Sequence, residues 1–528
     1  MRRPAAVLCL LAAITAASVV VGLGACKRKQ RAAGPGRVTI LYTGGVQGAL
    51  EPCGCSPGQL GGVARAATLV KQIREESPSA VLVDAGDLLL QDPAAPPSIR
   101  PQLILKAKSM QKAYGAMHAA VLNLGGKDAA AGADVAVSGA RAIGAAPVSA
   151  NLRDARRKPL APGSAVIEAG GVRVAFVGVA REARREPRPP VDAVRASVAD
   201  AGNRADVVVL LSTLGIEAAR DLVSKIPGID LVIDAGESQT PRNIVIPQKA
   251  GNAHLVSVKP LGEFVGRIDI TVNISREQPL RDVTTSDRIE GMPGGGAPSG
   301  ALFGGGVDLR GLSPKRSKAS AKLPPLAPGT FRHRVYALGD TIKKDAAMQH
   351  LLVDYKREVA DLTRHAPVTR ARIPTTGPRY VGEEACKACH KAISDFVATT
   401  LHARAYPTLE RVHSEYDLEC VGCHVTGWQK PGGFDQPRAV GNLKGVQCEV
   451  CHGPGSEHVA AGGRRGVGGV RAQVPAGLCE TCHTPVHSTR FAGKEKLYED
   501  QIRCSRAPGR GAPGVAPEAA AKTPHAPP

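Results

Sequence analysis

Short apolar runs alternate with amphipathic segments along the first half of the chain, between Val38 and Val272. Two segments, GGVARAATLVKQIREE and GIEAARDLVSKI, place apolar residues at helical spacing. Runs rich in β-branched residues that end in small residues predict buried strands: VTILYTG, AVLVDAGD, RVAFVGVA, DVVVLLS and DLVIDAG. Because strands that alternate with helices are typical of α/β proteins, we predict an α/β domain over residues 38–275.

The second half of the chain has a different pattern. Residues 276–330 are rich in Gly, Pro and Ser, which predicts a flexible linker. Asp340 to Leu362 has the apolar spacing of one amphipathic helix, within a helical connector that we place at 331–379. Residues 380–492 are rich in Cys and His, and 493–528 form an Ala, Pro and Gly tail for which we predict disorder. The sequence therefore predicts a multidomain protein.

The N-terminus is typical of an export signal. Two arginines precede an apolar run that begins at Ala5 and ends in Leu23-Gly24-Ala25-Cys26. Small residues before a cysteine indicate a lipoprotein, so we predict a signal peptide over 1–25, acylation of Cys26 and a tether over 26–37. The alternative is an uncleaved anchor, because the apolar run is about long enough to span a bilayer. Either way the body lies outside the cytoplasm on a membrane, with the periplasmic side of the outer membrane favoured.

The formal net charge of +21 takes its meaning from that compartment. In a cytoplasmic protein such a charge would suggest nucleic acid as a partner. For an exported protein the counterparts are anionic lipid headgroups, acidic proteins or bound anions. We therefore expect no nucleic-acid partner.

One short pattern, Cys-x-x-Cys-His, recurs four times in the Cys-rich region. Two thiols three positions apart reach both vinyl groups at one haem edge, and the next residue places its imidazole beneath the iron. We predict four covalently bound haem c groups on this basis. The attachment cysteines are Cys386 and Cys389, Cys420 and Cys423, Cys448 and Cys451, and Cys479 and Cys482, with His390, His424, His452 and His483 as the proximal iron ligands.

Two other uses of paired cysteines fit less well. Structural zinc joins one Cys-x-x-Cys to a second and does not require a histidine after each pair. A thioredoxin-like site needs a single pair on a βαβ unit. Haem attachment also occurs outside the cytoplasm, in agreement with the export signal. Because this region of about 110 residues has few aromatic side chains and a weak apolar core, we predict a mainly α module packed around its haems.

The stretches CKACHKAISDFVATTLHARAYPTL, ECVGCHVTGWQKPGGF and GVQCEVCHGPG resemble the tetrahaem cytochrome c-552/c-554 family of multihaem c-type cytochromes, over Tyr380 to His483. The resemblance implies closely stacked haem pairs, histidine on both faces of most irons, and a second haem, at His424, without a protein ligand on its sixth side. It implies that His402 is a distal ligand to another haem and that His458 lies in a segment that supplies a second distal ligand. The family's last distal histidine lies in a C-terminal helix that we do not predict here. The candidate replacements are His487, His413, His350 and His365.

The segments VTILYTGGVQGALEP, VLVDAGDLLL and GGVRVAFVGVA resemble the metallophosphoesterase domain of 5′-nucleotidases. The resemblance implies a two-sheet α/β sandwich with a di-metal site at strand ends, where the metals activate a water molecule. The family's ligand positions are occupied here by Gly45, Gln47, Gly126, Lys127 and Thr213, and its His-x-His is lost in DAGESQ. Asp87 remains, with Asp84 beside it. Because one carboxylate cannot hold two hard cations and Lys127 would repel them, we expect no catalytic residues in this domain.

Cys53 and Cys55 follow the first of these segments and are separated by one glycine. A disulfide between them would be strained. They could form a redox couple, a soft-metal site or a pair of sulfur or copper ligands, or each could be bridged elsewhere. The sequence leaves these alternatives open.

These patterns favour an exported, membrane-anchored four-haem cytochrome that exchanges electrons with redox partner proteins and carries a non-catalytic phosphoesterase-like domain as a docking or scaffold part. Two enzyme alternatives remain. An open second haem could reduce a small nitrogen oxide such as NO or nitrite, and the N-terminal domain could be a hydrolase with a rebuilt metal site. In a third alternative, the haems serve only as the core of an anchored structural protein.

Overall fold

The computed structural model describes most of the chain between Gly36 and Ala507. All described residues belong to one compact unit, Pro35–Pro528. The predicted signal peptide and Cys26 belong to the other unit, Met1–Gly34, which lies outside the described residues. No helix in this described part is both long and apolar enough to cross a bilayer. The described residues are 36–52, 58–181, 190–236, 244–258, 260–272, 279–284, 289–290, 325–365, 376–435, 442–464, 466–484, 487–488, 491, 493–504 and 507.

Two β-sheets lie at the centre of the N-terminal body. The strands are β1 (Arg37–Thr43), β2 (Val81–Asp84), β3 (Ala119–Asn123), β4 (Ala146–Val148), β5 (Ser164–Ala169), β6 (Val172–Val179), β7 (Val207–Ser212), β8 (Leu231–Asp234), β9 (Ile244–Ala250), β10 (Ala253–Ser257), β11 (Phe264–Thr271), β12 (Arg281–Asp282), β13 (Ile289–Glu290) and β14 (Thr330–Ala337). The first sheet has the order β12-β14-β11-β1-β2-β3-β4, with β13 also paired to β14. The second sheet has the order β5-β6-β7-β8-β10-β9.

The strand sequences are apolar on both faces because both faces of each sheet are covered. On β1, Ile40 and Tyr42 pack in the apolar layer between the two sheets, together with Phe176 of β6. Leu41, which points the opposite way because side chains alternate along a strand, packs on the outer face of the first sheet. The α/β sandwich predicted for residues 38–275 is therefore confirmed.

Helices cover the outer face of each sheet. Residues of α1, α2 and α7 pack in the core outside the first sheet, and residues of α5 and α6 pack in the core outside the second. The helices of this body are α1 (Val63–Glu76), α2 (Arg100–Ala116), α3 (Gly126–Ala130), α4 (Gly139–Ala142), α5 (Val191–Gly202), α6 (Ile216–Ser224) and α7 (Ala346–His365).

The predicted linker and connector need correction. Strand β14 falls almost entirely within the predicted helical connector, yet it pairs along its whole length with β11, from Phe264 opposite Ala337 to Thr271 opposite Thr330. Strands β12 and β13 fall within the predicted linker and also pair with β14. The last strand of the first sheet therefore follows the Gly- and Pro-rich stretch in the sequence. Helix α7, which corresponds to the helix predicted between Asp340 and Leu362, packs on the same body.

The Cys- and His-rich region is helical but has little apolar core, as predicted. Its buried apolar cluster consists of Tyr406, Leu409, Val421, Val425, Phe434 and Leu443. Its last helix lies within the tail predicted as disordered, at 493–528, which corrects that prediction for the part of the tail that the structure describes. The helices are α8 (Glu383–Lys387), α9 (Lys391–Ala398), α10 (Ala405–Arg411), α11 (Leu418–His424), α12 (Cys448–His452), α13 (Ser456–Ala460) and α14 (Glu495–Ile502), with a short 3-10 turn at Cys479–Thr481.

Residues 412–419 dock on helices α2 and α7 of the N-terminal body. The Gln102 side chain, which is buried, donates to the Tyr416 carbonyl oxygen at 2.9 Å and accepts from the Leu418 N–H at 2.9 Å. Lys106 forms an ion pair with Glu419. Arg364 of α7 lies over the Tyr416 ring, 4.7 Å from its centroid. This docking surface joins α11 to the α/β body.

Replacing Gln102 by Leu should weaken this docking. The change leaves the partly buried Leu418 N–H without its acceptor, which costs about 1 kcal/mol, the lower end of the range for an unsatisfied buried donor. We expect urea denaturation of the purified full-length protein to show a lower apparent free energy of unfolding by that amount. Gln72→Leu, at an exposed position of α1, is the matched control. Equal stability of the two variants would contradict the role of Gln102.

Candidate functional site

The positions predicted to replace phosphoesterase metal ligands meet at the ends of neighbouring strands. The Gln47 N–H donates to the Asp87 carbonyl oxygen at 2.9 Å, which holds the loop after β1 beside the loop after β2. The Lys127 N–H donates to Asp87 Oδ1 at 3.0 Å. A Cβ placed on Gly86 would lie 2.5 Å from Thr213 Cγ2, so the loop after β7 reaches the same point. We call this group, with Gly45 and Gly126, the strand-end cluster.

The carboxylates beside the strand-end cluster hold the protein's own backbone and hydroxyl groups. Asp128 accepts from the Leu89 N–H at 2.8 Å and the Gly125 N–H at 2.9 Å. Asp84 accepts from the Thr43 hydroxyl at 2.6 Å. Within the described residues, no group of three or more His, Cys, Asp or Glu side chains is arranged to hold a metal ion. Residues 237–239 of DAGESQ lie outside those residues.

Burial shifts the pKa of these carboxyl groups upward. Burial raises the pKa of Asp84 to about 7, with a further increase from the nearby Asp87 charge and an opposing decrease from its hydrogen bonds. Burial and the Asp87 charge raise the pKa of Asp128 well above its usual value. Burial likewise raises the pKa of Asp234, at the end of β8, to about 6.

Asp87 and Gln47 have an unusual backbone conformation at these strand ends. Both adopt left-handed conformations, with φ of 54° for Asp87 and 55° for Gln47. Such a conformation costs of the order of 1 kcal/mol or more for a residue other than glycine, so the surrounding structure must enforce it. The surrounding structure therefore imposes the loop conformation, although other residues stand at most of the positions where metal ligands were expected.

The four predicted haem-attachment motifs lie on short helices or turns and come together in two pairs. The first motif begins on α8, the second lies on α11, the third forms α12, and the fourth begins on the 3-10 turn. The thiols of Cys386 and Cys448 are within hydrogen-bonding reach of each other, which joins the first motif to the third. The thiols of Cys423 and Cys482 are equally close, which joins the second to the fourth.

Three of the four predicted proximal imidazoles, those of His424, His452 and His483, make a polar contact through Nδ1. Nδ1 of His424 donates to the Ala405 carbonyl oxygen at 2.7 Å, and Nδ1 of His452 donates to the Arg471 carbonyl oxygen at 2.7 Å. Because a carbonyl can only accept, the proton lies on Nδ1 and the Nε2 lone pair is available to a metal. Nδ1 of His483 lies 3.1 Å from Ser488 Oγ. This is the arrangement that a haem-ligating histidine requires.

Glu449, inside the third motif, ties that motif to the first. Its buried carboxylate accepts from the N–H groups of Val381 at 3.0 Å and Gly382 at 2.7 Å, just before α8. It also accepts from the Gly455 N–H at 2.7 Å, at the start of α13. Charge-assisted hydrogen bonds of this kind are stronger than neutral ones. Sequence reasoning missed Glu449, although a glutamate between two attachment cysteines was visible.

The predicted distal ligands separate into two groups. His402, His458 and His487 are half-buried in the Cys-His region, whereas His413, His350 and His365 are exposed, the last two on α7. The ring centroids of His402 and His483 are 6.0 Å apart. Nδ1 of His458 donates to the Arg464 carbonyl oxygen at 3.0 Å. Burial lowers the pKa of His487, the Glu419 charge raises it, and the His424 charge lowers it further.

Two further cysteine observations complete the site. The Cys504 side chain is hydrogen-bonded to His452 and raises its pKa. The sequence analysis assigned no role to Cys504. Cys53 and Cys55 lie outside the described residues.

Comparison with known proteins supports a cytochrome segment at the C-terminal end. Residues 385–453 match the family described as cytochrome c554 and c-prime. Cytochrome c-554 from Nitrosomonas europaea is 36% identical over 91 residues, which cover 14% of this chain and 39% of that protein. The chain thus spans about two-fifths of that relative's length. The predicted resemblance to this cytochrome family is confirmed for this segment.

Solved structures similar to this chain are 5′-nucleotidase and phosphoesterase folds. A 5′-nucleotidase precursor from Thermus thermophilus is 16% identical with a TM-score of 0.43, covering 69% of this chain and 66% of that one. The calcineurin-like phosphoesterase YfkN from Bacillus subtilis is 14% identical with a TM-score of 0.43, covering 62% and 99%. The Thermus thermophilus sulfate thiohydrolase SoxB is 14% identical with a TM-score of 0.43, covering 67% and 68%.

Removing the buried Asp84 charge should change how stability depends on pH. The raised pKa means that the folded protein holds the Asp84 proton more tightly than the unfolded chain does, so stability falls as pH rises from about 4 to about 7. Asp84→Asn cannot ionise. The variant's free energy of unfolding, relative to wild type, should therefore rise by up to about 4 kcal/mol across that window and stay constant above it.

Urea denaturation at several pH values measures this difference. Asp200→Asn, an exposed carboxylate on α5, controls for the change of side chain. A difference between wild type and Asp84→Asn that does not vary with pH would contradict the buried, protonated state of Asp84.

Proposed function

We propose that the protein is an exported, membrane-anchored cytochrome that binds four haem c groups and transfers electrons between redox partner proteins. The observation that supports this best is the meeting of the four Cys-x-x-Cys-His motifs in two pairs, with the Cys386 thiol within hydrogen-bonding reach of Cys448 and the Cys423 thiol within reach of Cys482. Attachment sites this close would bring one haem near the next. Haem iron supplies reversible one-electron chemistry when it is bound.

The residues present fit covalent haem. Cysteines of all four motifs are free, and the eight attachment thiols are at least partly exposed. His424 and His452 each direct Nδ1 to a backbone carbonyl, which leaves Nε2 for iron. The region around them buries only a small apolar cluster, so a large apolar cofactor would supply missing core.

His402 and His483 are the best-supported axial pair. Two imidazoles on opposite sides of one metal, each bound at about 2 Å, place their ring centroids roughly 6 Å apart. The observed separation of 6.0 Å agrees with that arrangement. We propose that His483 is the proximal and His402 the distal ligand of the haem at the fourth motif. His458, whose Nδ1–H group donates a hydrogen bond to the Arg464 carbonyl oxygen, is proposed as the distal ligand of another haem.

The α/β body is proposed to be a non-catalytic scaffold. Its remaining carboxylates bind backbone and hydroxyl groups of the protein, and its α2 and α7 helices carry the docking surface for residues 412–419. Membrane attachment is proposed to occur through acylated Cys26, on the periplasmic side and with the outer membrane favoured. C-type cytochromes are usually periplasmic, which agrees with this location.

Haem stoichiometry tests the function directly. Purified from a host that matures c-type cytochromes, the full chain should gain the mass of four haem groups, with a pyridine haemochrome spectrum of the same stoichiometry. Cys479→Ala with Cys482→Ala should lower the count by one. A wild-type count of two, or bound zinc in place of haem, would overturn the proposal.

His402→Ala should expose one iron. Losing an imidazole leaves that haem five-coordinate or water-bound, so about a quarter of the haem should become high-spin in electron paramagnetic resonance spectra and its potential should rise. Thioether bonds keep the haem in place, so the stoichiometry should not change. His350→Ala, on an exposed face of α7, is the control. An unchanged low-spin spectrum in His402→Ala would remove His402 as a ligand.

A further inference from the structure

We propose that Ser488 and Phe491 position His483, the proximal ligand at the fourth motif, and thereby give the fourth haem a higher redox potential than the second and third haems. The inference rests on the proposed function, because it requires haems at these motifs. The spacing of the four motifs is identical, so it does not distinguish one haem from another. The surroundings of the proximal histidines do differ.

The edge of the His483 ring contacts a hydroxyl group. Its Nδ1 lies 3.1 Å from Ser488 Oγ. Because iron would bind Nε2, Nδ1 carries the hydrogen of the neutral ring and donates it to the Ser488 oxygen. Ser488 is half-buried, and its carbonyl oxygen accepts from the Phe491 N–H at 2.9 Å. Ser488 therefore contacts both His483 and Phe491.

The face of the His483 ring is covered by Phe491. The two ring centroids are 4.7 Å apart and the ring planes differ by 17°, so the rings are stacked. Phe491 is only 2% exposed, and the ring of Tyr498, on α14, packs against it with a centroid distance of 5.5 Å. Rotation of the His483 ring away from Ser488 would break this stacking. The two contacts together fix the plane and the direction of the imidazole.

The Nδ1 contacts of His424 and His452 differ from that of His483. Each donates to a backbone carbonyl oxygen at 2.7 Å, that of Ala405 and that of Arg471 respectively. An amide carbonyl is a stronger acceptor than a hydroxyl, and the shorter distances agree with stronger hydrogen bonds. A stronger hydrogen bond from Nδ1 makes the imidazole a more basic ligand, which stabilises ferric iron and lowers the potential. The weaker bond of His483 therefore leaves the fourth iron easier to reduce.

The apolar contact with Phe491 acts in the same direction as the weak hydrogen bond. Ferric haem carries one positive charge more than ferrous haem, so an apolar environment favours the ferrous form. Phe491 places a buried aromatic ring directly against His483. When a redox partner protein donates one electron, the fourth iron changes from ferric to ferrous, and Nδ1 keeps its hydrogen in both states. Among the second, third and fourth haems, the electron therefore resides at the fourth.

Potentiometric titration of the purified four-haem protein, followed by haem absorbance, tests the proposal. Ser488→Ala removes the acceptor of Nδ1, so one of the four reduction steps should move to a higher potential. Ser488→Asn supplies a neutral amide carbonyl, so the same step should move to a lower potential. That step should be the one missing from protein with Cys479→Ala and Cys482→Ala. In wild type it should lie above the steps that disappear when the cysteines of the second or the third motif are replaced by alanine.

Phe491→Leu tests the contact with the ring face. Leucine keeps the site apolar but no longer fixes the plane of the imidazole. We expect the low-spin electron paramagnetic resonance signal of one haem to broaden, with the four-haem stoichiometry unchanged. An unchanged signal would overturn the assignment of Phe491.

Ser414→Asn is the matched control, because it makes the same change at another half-buried serine of the Cys- and His-rich region. Unchanged potentials in both Ser488 variants, or shifts in the same direction, would overturn the proposal and leave the four-haem function intact. So would a fourth step that lies below those of the second and third haems in wild type. Fewer than four haems in wild type would instead contradict the proposed function. If Ser488→Asn does not accumulate, Ser488→Ala and the order of the wild-type steps still decide between the outcomes.

Discussion

The buried Glu449 carboxylate is the interaction on which the Cys- and His-rich region most depends. It accepts hydrogen bonds from backbone groups before α8 and before α13, and thereby joins the first motif, the third motif and the segment that carries His458. In a region with a small apolar cluster, no large core can impose this arrangement. Charge-assisted hydrogen bonds in a poorly hydrated site are strong enough to do so, and their direction fixes geometry in a way that apolar contact does not.

The α/β body and the cytochrome segment depend on each other through α2 and α7. Gln102 and Lys106 bind the first turn of α11, and Arg364 covers the Tyr416 ring. In the same body, the buried carboxyl groups of Asp84 and Asp128 accept hydrogen bonds from the Thr43 hydroxyl and the Leu89 N–H. The helices α2 and α7 of this body thus provide the docking surface for residues 412–419.

Much of the fold followed from the sequence, and the failures have identifiable causes. The strands of β1, β2, β6, β7 and β8 were predictable because their apolar runs are buried on both faces. Strand β14 was not, because Arg332, His333 and Arg334 interrupt its apolar pattern. Arg334 pairs with Asp269 of β11 at 2.9 Å and His333 contacts the Tyr42 hydroxyl at 2.8 Å. Partners distant in sequence therefore make a polar strand compatible with burial.

The sequence by itself determined the predicted chemistry: Cys-x-x-Cys-His spacing predicts where a haem would be attached and which imidazole would lie beneath its iron, since these residues are neighbours along the chain. Only the tertiary structure brings the rings of His402 and His483 to a centroid distance of 6.0 Å and joins the third motif to the segment before α8 through Glu449. A proximal ligand is fixed by covalent connectivity within one turn. A distal ligand approaches from another segment, so its identity depends on long-range packing that local spacing does not encode.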